Sequence, residues 1–549
     1  MARHPAPTFS SGGLGHVSGP GRDPTRRAFL GSAAGAAGAV VTAGAIGSAV
    51  AGCTASSGKS SPAPSATEIR MRSTNSENSL PGEPHWQIRH LGKPHEIEGF
   101  TGQVSVRQGD PVTLYVSTTS REFRVSVLRI GWYKGLLARQ VWQSGWIHGH
   151  RQKRPTTSGS TRTVSCDWDP ALTMQTDQWP EGTYLLRLDA SSGAQRYVPV
   201  TVRSFSTAGK AVLKNAVATW QAYNSWGGYS LAAGPGGYGD RSLAVSMDRP
   251  YDGTGADEFL RFERKLISLA ERLGLPLAYT TSVDLDRDSH ALGGATALLS
   301  MGHDDYWSPA ERRHVTAGRN IGLNVAFFGA SAMFRRIRLA ATRLGADRLV
   351  ICYKSSYRQD PMYGKNDTLV TSDWRQPPHP DPESSLTGTS FEADPVAADY
   401  IVVAPDSWLF HGTGAHLGTR VRGLVGDAYD RVNPAYPVPR PIEILSHSPV
   451  TCHGTRSYSD SSYYTHGHGA GVFSTGTTRW VPSLAPPHGG KLSGDAAAFT
   501  AQVTANVLQA FAQGPAGIRY SASENLAAMH EWPGDPVAAG HNLWPPVVR

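Results

Sequence analysis

Cysteine is scarce in this chain of 549 residues, which has only four. None of them forms a CxxC pair or a Cys/His spacing of the kind that binds zinc, so zinc-ribbon and thioredoxin-like motifs are excluded. If Cys53 carries a lipid, three cysteines remain: Cys166, Cys352 and Cys452. At most one disulfide bond can then form, and the sequence leaves open which two cysteines would pair.

Several catalytic signatures are missing as well. The sequence contains no P-loop, no HExxH pair and no GxSxG elbow, so nucleotide-dependent, zinc-protease and serine-hydrolase functions lose support. It also lacks any run in which lysine or arginine alternates with aromatic residues. Although the net charge is +8, we therefore expect no nucleic-acid partner.

Charge is absent from residues 28–52, which are mostly Ala, Gly and Val. Such a run is only weakly hydrophobic, which favours a cleaved or lipid-modified signal over a transmembrane anchor. The preceding TRRAFLG at 25–31 resembles a twin-arginine export motif. The run ends in VAGC, which resembles a bacterial lipobox with Cys53 as the lipidated residue. The alternative is a plain signal peptide in which Cys53 is incidental.

These features set the first part of the chain apart. We expect residues 1–53 to be the signal, and residues 54–94 to be a Ser/Pro-rich linker with the lead-in to the first domain. The mature protein is then expected at the outer face of the bacterial cell membrane as a lipoprotein, or secreted.

The remaining residues predict a multidomain chain, β followed by α/β. Residues 95–205 contain short period-two runs such as FRVSVLRIGWY, which predict an immunoglobulin-like β-sandwich. Residues 206–515 alternate predicted strands and helices, which predicts a largely parallel sheet. Within them, residues 256–273 carry one apolar stripe and predict a single helix that ends at Gly274. Residues 516–549 form a tail without a chemical signal.

A dense polar cluster, MGHDDYW, follows one predicted strand of the second domain at 301–307. A helix start comes directly after it, because Ser308 precedes Pro309 in a capping-box pattern. Another predicted strand ends at Gly329 and delivers GASAM to the same edge. Ligands bind at the carboxyl ends of strands in open α/β sheets. Imidazole, carboxylate and phenol groups could hold iron or zinc there, and a neutral histidine could take a proton.

Ordered blocks along the chain resemble the large-subunit family of N,N-dimethylformamidase. The resemblance covers roughly residues 98–515, and the blocks include TWQAYNSWGGYSL at 219–231, LLSMGHDDYWS at 298–308, NVAFFGASAMF at 324–334, VICYKS at 350–355 and YYTHGHGAGVFSTGTTRW at 463–480.

The resemblance implies a β-sandwich preceding a glutamine-amidotransferase-like α/β domain, and hydrolysis of a small amide. It also implies a mononuclear iron held by two tyrosinates and one carboxylate. On this chain those ligands fall on Tyr223, Asp305 and, by order and approximate spacing, Tyr184. The family's nearby histidine falls on His303, and its acid in PIEILSHSP falls on Glu443.

The chain also departs from the family's pattern. Asp305 stands where the family has glutamate, and its side chain is one methylene shorter. Ser331 stands where the family has asparagine, so an amide donor to an oxyanion becomes a hydroxyl. Tyr184 has a structural alternative, because a tyrosine at the start of a late strand is a corner residue in β-sandwiches.

Three functions remain open from the sequence. The first is a metal-dependent amidohydrolase, in which His303 moves protons, Glu443 assists or orients the substrate and Ser331 donates to the oxyanion. The second is a non-catalytic lipoprotein that binds a ligand or cell-wall material through a relic site. The third is a carbohydrate hydrolase that uses Asp305 and Glu443 as paired carboxylates.

The expected partners follow from these alternatives. We expect a small amide as the substrate and attachment to a membrane through the lipid anchor. A homo-oligomer is compatible with the sequence, whereas a small partner subunit cannot be read from this chain.

Overall fold

A computed structural model of the chain describes residues 74–484 and 494–530. The predicted signal, its Cys53 and residues 54–73 of the predicted linker lie outside the described residues, as do residues 485–493 and 531–549. In the described part the protein is rich in β-sheet, with shorter helices between the strands.

The first β-rich part contains two larger sheets and the two-stranded sheet β7-β8, preceded by a short helix α1 (Thr74–Asn78). One larger sheet has the order β1-β3-β9 and the other β2-β11-β10-β4-β5, with β6 also paired to β4. The strands are β1 (Ile97–Thr101), β2 (Ser105–Arg107), β3 (Pro111–Thr118), β4 (Glu122–Ile130), β5 (Ala138–Gln143), β6 (Ile147–His148), β7 (Thr156–Thr157), β8 (Val164–Ser165), β9 (Leu172–Gln175), β10 (Gly182–Ala190) and β11 (Gln195–Arg203).

Period-two alternation explains why these two sheets pack on each other. Phe123, Val125 and Val127 of β4 share one buried core with Val112 and Leu114 of β3. Because successive side chains of a strand point to opposite faces, each sheet offers one apolar face to the other.

The second part is built on a seven-stranded sheet of order β14-β12-β15-β17-β25-β24-β23. Its first five strands run parallel, and β24 is antiparallel to both of its neighbours. The strands of this part are β12 (Ala211–Asn215), β13 (Ala244–Ser246), β14 (Leu277–Thr281), β15 (Ala297–Ser300), β16 (Tyr306–Trp307), β17 (Asn324–Phe327), β18 (Arg335–Arg336), β19 (Arg338–Thr342), β20 (Gly345–Ile351), β21 (Ser390–Ile401), β22 (Arg420–Arg431), β23 (Ile442–Cys452), β24 (Thr455–His466) and β25 (Ala470–Ser474).

Helices connect and cover these strands. They are α2 (Val217–Tyr223), α3 (Asp257–Phe262), α4 (Arg264–Arg272), α5 (Ser282–Arg287), α6 (Pro309–Asn320), α7 (Ser384–Thr387), α8 (Trp480–Ser483), α9 (Gly494–Phe511) and α10 (Leu526–His530). Helix α6 begins as the sequence predicts, because the Ser308 side chain accepts a hydrogen bond from the Glu311 amide and Pro309 occupies the first turn.

The single helix predicted over 256–273 is wrong, because the chain breaks between α3 and α4 at Glu263. The Glu263 carboxylate is buried and accepts hydrogen bonds from the Asn215 amide, the Ala216 N–H and the Trp220 indole. These bonds draw Glu263 towards β12 and α2, which a regular helix would not allow. Gly274 ends α4 with φ +68°, as predicted.

The three described cysteines, Cys166, Cys352 and Cys452, are buried, and no disulfide bond joins any two of them. Within residues 74–484 and 494–530, no helix combines the length and the apolar composition needed to cross a membrane.

Candidate functional site

Three neighbouring strands end at one edge of the seven-stranded sheet, and each delivers a polar side chain there. Tyr223 is the last residue of α2, which follows β12; His303 and Asp305 follow β15, and Ser331 follows β17. This is the carboxyl edge of the parallel strands, where the sequence predicts a ligand site.

Two glycines bring the loops after β15 and β17 into contact. Gly302 has φ +69°, a conformation that a residue with a Cβ rarely adopts. A Cβ on Gly329 would collide with the carbonyl oxygen of Gly302. The loop carrying His303 and Asp305 therefore lies directly against the loop carrying Ser331.

The Asp305 carboxylate is the centre of the cluster. The Tyr223 hydroxyl donates to its Oδ2 at 2.6 Å, and the Ser331 hydroxyl donates to its Oδ1 at 2.9 Å. Nε2 of His303 lies 3.1 Å from the same Oδ1. Asp305 is buried, so these three donors replace the water that an exposed carboxylate would bind.

His303 links Asp305 to a second carboxylate. Its Nδ1 lies 2.8 Å from an oxygen of Glu258, and its ring lies 4.4 Å from the Tyr223 ring, centroid to centroid. Burial opposes the charged form, but the two flanking carboxylates outweigh it and hold the pKa of His303 well above its usual value. The imidazolium can therefore donate from both ring nitrogens.

The pKa values of Asp305 and Tyr223 are shifted in opposite directions. Burial works to raise the pKa of Asp305, but the His303 charge and the hydrogen bonds from Tyr223 and Ser331 lower the pKa below its usual value. Burial, together with the Asp305 charge, raises the pKa of Tyr223 well above the usual value for a phenol. The resting cluster is thus a carboxylate between a phenol and an imidazolium.

The buried side chain of Lys214 holds the loop that carries Asp304 and Asp305. The Lys214 ammonium lies 2.8 Å from Oδ2 of Asp304 and also pairs with Glu311 at the start of α6. It stands 3.6 Å from the centroid of the Trp307 ring. These contacts fix the residue next to Asp305, so the loop is held from the sheet side as well as from the cavity side.

A cavity of about 540 Å³ opens above the cluster. Its walls come from the segment before β13, from the segment after β20 and from β21 to β24. The lining residues outside the cluster include aromatic side chains (Tyr238, Phe334, Phe391 and Tyr429) and charged ones (Arg335, Lys354, Asp373, Glu392 and Asp394).

Tyr184 does not lie with Tyr223 and Asp305. It is fully buried in the core between the first two sheets, where it stacks on Trp179, and its hydroxyl donates to the Pro180 carbonyl at 2.5 Å. The structure therefore gives Tyr184 the corner-type contact that the sequence offered as its alternative, and we leave it out of the proposed site.

Glu443 also lies away from the cluster. Strand β23 is the last strand of the seven-stranded sheet and is separated from β15 by β17, β25 and β24. Glu443 is its second residue and therefore lies roughly four strand spacings, about 19 Å, from the strand that precedes Asp305. It hydrogen-bonds Ser407, and burial raises its pKa to about 7. A carbohydrate hydrolase built on paired Asp305 and Glu443 carboxylates loses its basis.

Sequence reasoning missed Glu258 and Lys354. Glu258 lies in the first turn of α3, 45 residues from His303, and no local motif marks an acid there as a histidine partner. Lys354 lies in the VICYKS block that resembles the family. Its only signal was its place in that block, and the sequence analysis gave it no role.

Iron was tested against the donors that are present. The Tyr223 phenol and the Asp305 carboxylate are oxygen donors of the kind that iron accepts, and their oxygens already meet across one proton. Both nitrogens of His303 face carboxylates. Within the described ranges, no group of three His, Cys, Asp or Glu side chains could hold a metal. Of the three predicted ligands, Tyr223 and Asp305 therefore lie together in the cluster, and their oxygens are of a type that iron accepts.

Two comparisons with known proteins give no information about function. A search of curated proteins gave no match. Among solved structures, a Paenibacillus sp. cycloisomaltooligosaccharide glucanotransferase complexed with cycloisomaltoheptaose is 15% identical, with a TM-score of 0.14. That match covers 23% of this chain and 17% of the other, and a score this low carries no argument.

The family comparison is of a different kind. Residues 124–492 match the family described as N,N-dimethylformamidase beta subunit-like, C-terminal. The match spans about two thirds of the chain and includes Tyr223, His303, Asp305 and Ser331. At the level of the family it is consistent with amide hydrolysis. The chain therefore belongs to the N,N-dimethylformamidase beta subunit-like family.

Proposed function

We propose that the protein is an exported, metal-dependent hydrolase that cleaves the C–N bond of a small, non-peptide amide. One observation carries the proposal: Tyr223, His303, Asp305 and Ser331, which come from three strand ends, meet through the Asp305 carboxylate beside a cavity of about 540 Å³. Membership of the family supports amide hydrolysis as the reaction.

The imidazolium of His303 is the acid in this proposal. Cleavage of an amide requires that the departing nitrogen receive a proton, and a positioned acid accelerates this step. His303 can pass a proton from its Asp305 side and regain one through Glu258, because both carboxylates lie within hydrogen-bond distance of its ring. Glu258 thus takes the supporting role that the sequence assigned to Glu443.

Ser331 stabilises the carbonyl oxygen as it gains negative charge. Its hydroxyl has a single proton and lies 2.9 Å from Oδ1 of Asp305 and 2.7 Å from the Ala330 carbonyl oxygen. In the reaction the hydroxyl turns from these acceptors to the substrate oxygen. The Ser331 backbone stays in place, because its N–H donates to an Asp430 carboxylate oxygen at 2.7 Å and its φ is +56°.

Iron would be held by Tyr223 and Asp305, and it would supply a Lewis acid that withdraws electrons from the amide carbonyl. The test is metal content and the visible spectrum of the purified mature protein, in wild type and Tyr223→Phe. We expect near-stoichiometric iron and a tyrosinate charge-transfer band that the substitution removes. A folded, colourless, metal-free protein would contradict the metal dependence.

Export and the finer fold assignments complete the proposal. The twin-arginine-like and lipobox-like sequences support export and a lipid on Cys53, which mass spectrometry of the mature N-terminus tests. The order of a two-sheet part followed by a mainly parallel sheet supports immunoglobulin-like and glutamine-amidotransferase-like parts.

A non-catalytic ligand-binding function is the second candidate. Its support is that the Asp305 carboxylate is fully engaged by donors from its own chain. Release of amine from a panel of small amides separates the two, since a binding protein would release none.

A further inference from the structure

One wall of the cavity contains a buried cation that the proposed chemistry does not use. Lys354 lines the cavity and is 3% exposed. Its ammonium donates to the Leu231 carbonyl at 2.7 Å and stands 5.4 Å from the centroid of the Tyr306 ring. An ammonium has three N–H donors, so this bond leaves donor capacity at the cavity wall.

The charges that act most on Lys354 come from Arg335, Arg241 and Asp373, whereas Glu392 and Asp394 line the cavity elsewhere. In the described part of the chain, no carboxylate lies within ion-pair distance of its ammonium. Arg335 is neutralised by Asp373, but Arg241 behind the wall is buried and donates only to carbonyl and hydroxyl oxygens. Burial and the Arg335 charge lower the pKa of Lys354 to about 7. An anion bound here would relieve this cost.

The backbone also holds Lys354 in an unfavourable conformation. Its φ is +55°, in the left-handed region that side chains with a Cβ rarely adopt. Non-glycine residues held there cluster at ligand-binding positions. Ser355, next along the chain, lines the cavity as well.

The cavity is far larger than the smallest amides require. A volume of about 540 Å³ lies in the range of sites for drug-sized ligands, whereas N,N-dimethylformamide has only a few heavy atoms. Phe334 and Phe391, whose ring centroids lie 4.6 Å apart, both face this space. Besides the reacting amide, the site therefore has room for an apolar group.

We propose that the substrate is an amide that carries a carboxylate and an aromatic or other bulky apolar group, with the carboxylate bound by Lys354. This inference rests on the proposed function, because it names the substrate class of the same site. One buried ammonium without a carboxylate partner matches one singly charged anion. An N-acylated aromatic amino acid has the required groups.

Binding tests the anion site independently of hydrolysis. Calorimetry compares 3-phenylpropanoate with the neutral 3-phenylpropan-1-ol, which has no bond that an amidase cleaves, on wild type, Lys354→Met, Lys354→Arg and the surface control Lys153→Met. We expect wild type and the control to bind the carboxylate roughly ten- to hundredfold more tightly than the alcohol. Lys354→Met should lose this preference and Lys354→Arg should keep part of it. Equal binding of the two ligands by wild type, or an unchanged preference in Lys354→Met, would overturn the proposal.

Hydrolysis distinguishes failure of this inference from failure of the proposed function. N-formylphenylalanine and its methyl ester are compared as substrates, with N,N-dimethylformamide as the minimal amide. We expect kcat/KM for the free acid to exceed that for the ester by about tenfold, and the ratio to fall towards one in Lys354→Met. If all three amides are inert while the carboxylate still binds, the amidase proposal fails and the anion site stands. If the amides are cleaved without preference, the substrate class is wrong.

Discussion

The phenol oxygen of Tyr223 lies 2.6 Å from a carboxylate oxygen of Asp305; Asp305 is buried and Tyr223 is partly buried. The two residues are 82 positions apart, yet Tyr223 ends the short helix after β12 and Asp305 lies in the loop after the adjacent strand β15. A hydrogen bond to a buried carboxylate is charge-assisted and stronger than one between neutral groups. It connects the ends of two adjacent strands and defines the base of the cavity.

Replacing Asp305 with asparagine should nearly abolish activity. A neutral amide cannot hold His303 as an imidazolium or accept the same set of hydrogen bonds, so we expect kcat/KM to fall by about 10²- to 10⁴-fold. Release of amine from the best amide substrate measures it. Asp167→Asn, which changes an exposed surface carboxylate, serves as the control. Activity of Asp305→Asn within twofold of wild type would remove Asp305 from the reaction.

Tyr223→Phe should destabilise the protein in a pH-dependent way. Loss of the hydroxyl leaves one oxygen of Asp305 without a donor, which should cost about 1–3 kcal/mol at neutral pH. The folded pKa of Asp305 lies below its unfolded value, so its stabilisation is present above the unfolded pKa and is lost as pH falls through the folded pKa. Denaturant unfolding should show the difference between variant and wild type shrinking in acid. A difference that is constant with pH would point to packing alone.

Glu258→Gln should weaken the alkaline dependence of stability. The folded pKa of His303 is raised, so its contribution is complete below the unfolded pKa, about 6.5, and is lost as pH rises through the folded pKa. Removing one flanking carboxylate lowers the folded pKa. The variant should therefore lose most stability, relative to wild type, from about pH 5 up to its own folded pKa for His303, and the loss should shrink at higher pH. Urea titrations from pH 5 into the alkaline range measure it, with Glu181→Gln, which breaks a partly exposed ion pair with Lys210, for comparison.

Tyr184→Phe should lower the stability of the protein without changing its proposed metal site. The substitution leaves the buried Pro180 carbonyl without its donor, so we expect a loss of about 1–2 kcal/mol in the free energy of unfolding. Iron content and kcat/KM should match wild type. Loss of iron in a folded Tyr184→Phe protein would restore this tyrosine as a ligand.

Glu443→Gln should change the pH profile of stability and not the reaction. The folded pKa of Glu443 is about 7, above the ordinary value of about 4.3 for glutamate. Ionisation therefore costs wild type stability as pH rises from about 4 to 7. Glutamine removes this cost, so the variant should gain stability relative to wild type over that interval. A large fall in kcat at constant stability would instead show that Glu443 acts in catalysis.

The sequence predicts the four residues of the cluster better than the other site residues. The reason is that the positions of these four depend on the local order of strands and loops. His303, Asp305 and Ser331 each follow a strand within a few residues, Tyr223 ends the short helix after a third strand, and strand ends of a parallel sheet meet at one edge. Glu443 resembled a catalytic acid in its local sequence, but its strand β23 is separated from β15 by three other strands, and this order is set by long-range pairing.

Tyr184 and Glu263 show the same limit in other ways. The sequence places Tyr184 at the start of a late strand but does not say whether its hydroxyl faces the core or the second part of the chain. The helical stripe over 256–273 is genuine, yet three hydrogen bonds from β12 and α2 to Glu263 interrupt it. Tertiary contacts of this kind override local periodicity.

The contact between Gly302 and Gly329 has a consequence for how specificity can change. Neither loop can shift without displacing the other. His303, Asp305 and Ser331, which these loops carry, are therefore held in a fixed arrangement. Adaptation to a new substrate is then confined to the opposite walls, on β21 and β22 and in the segment around Lys354. Within this fold, the bond that is broken and the molecule that carries it can therefore be altered separately.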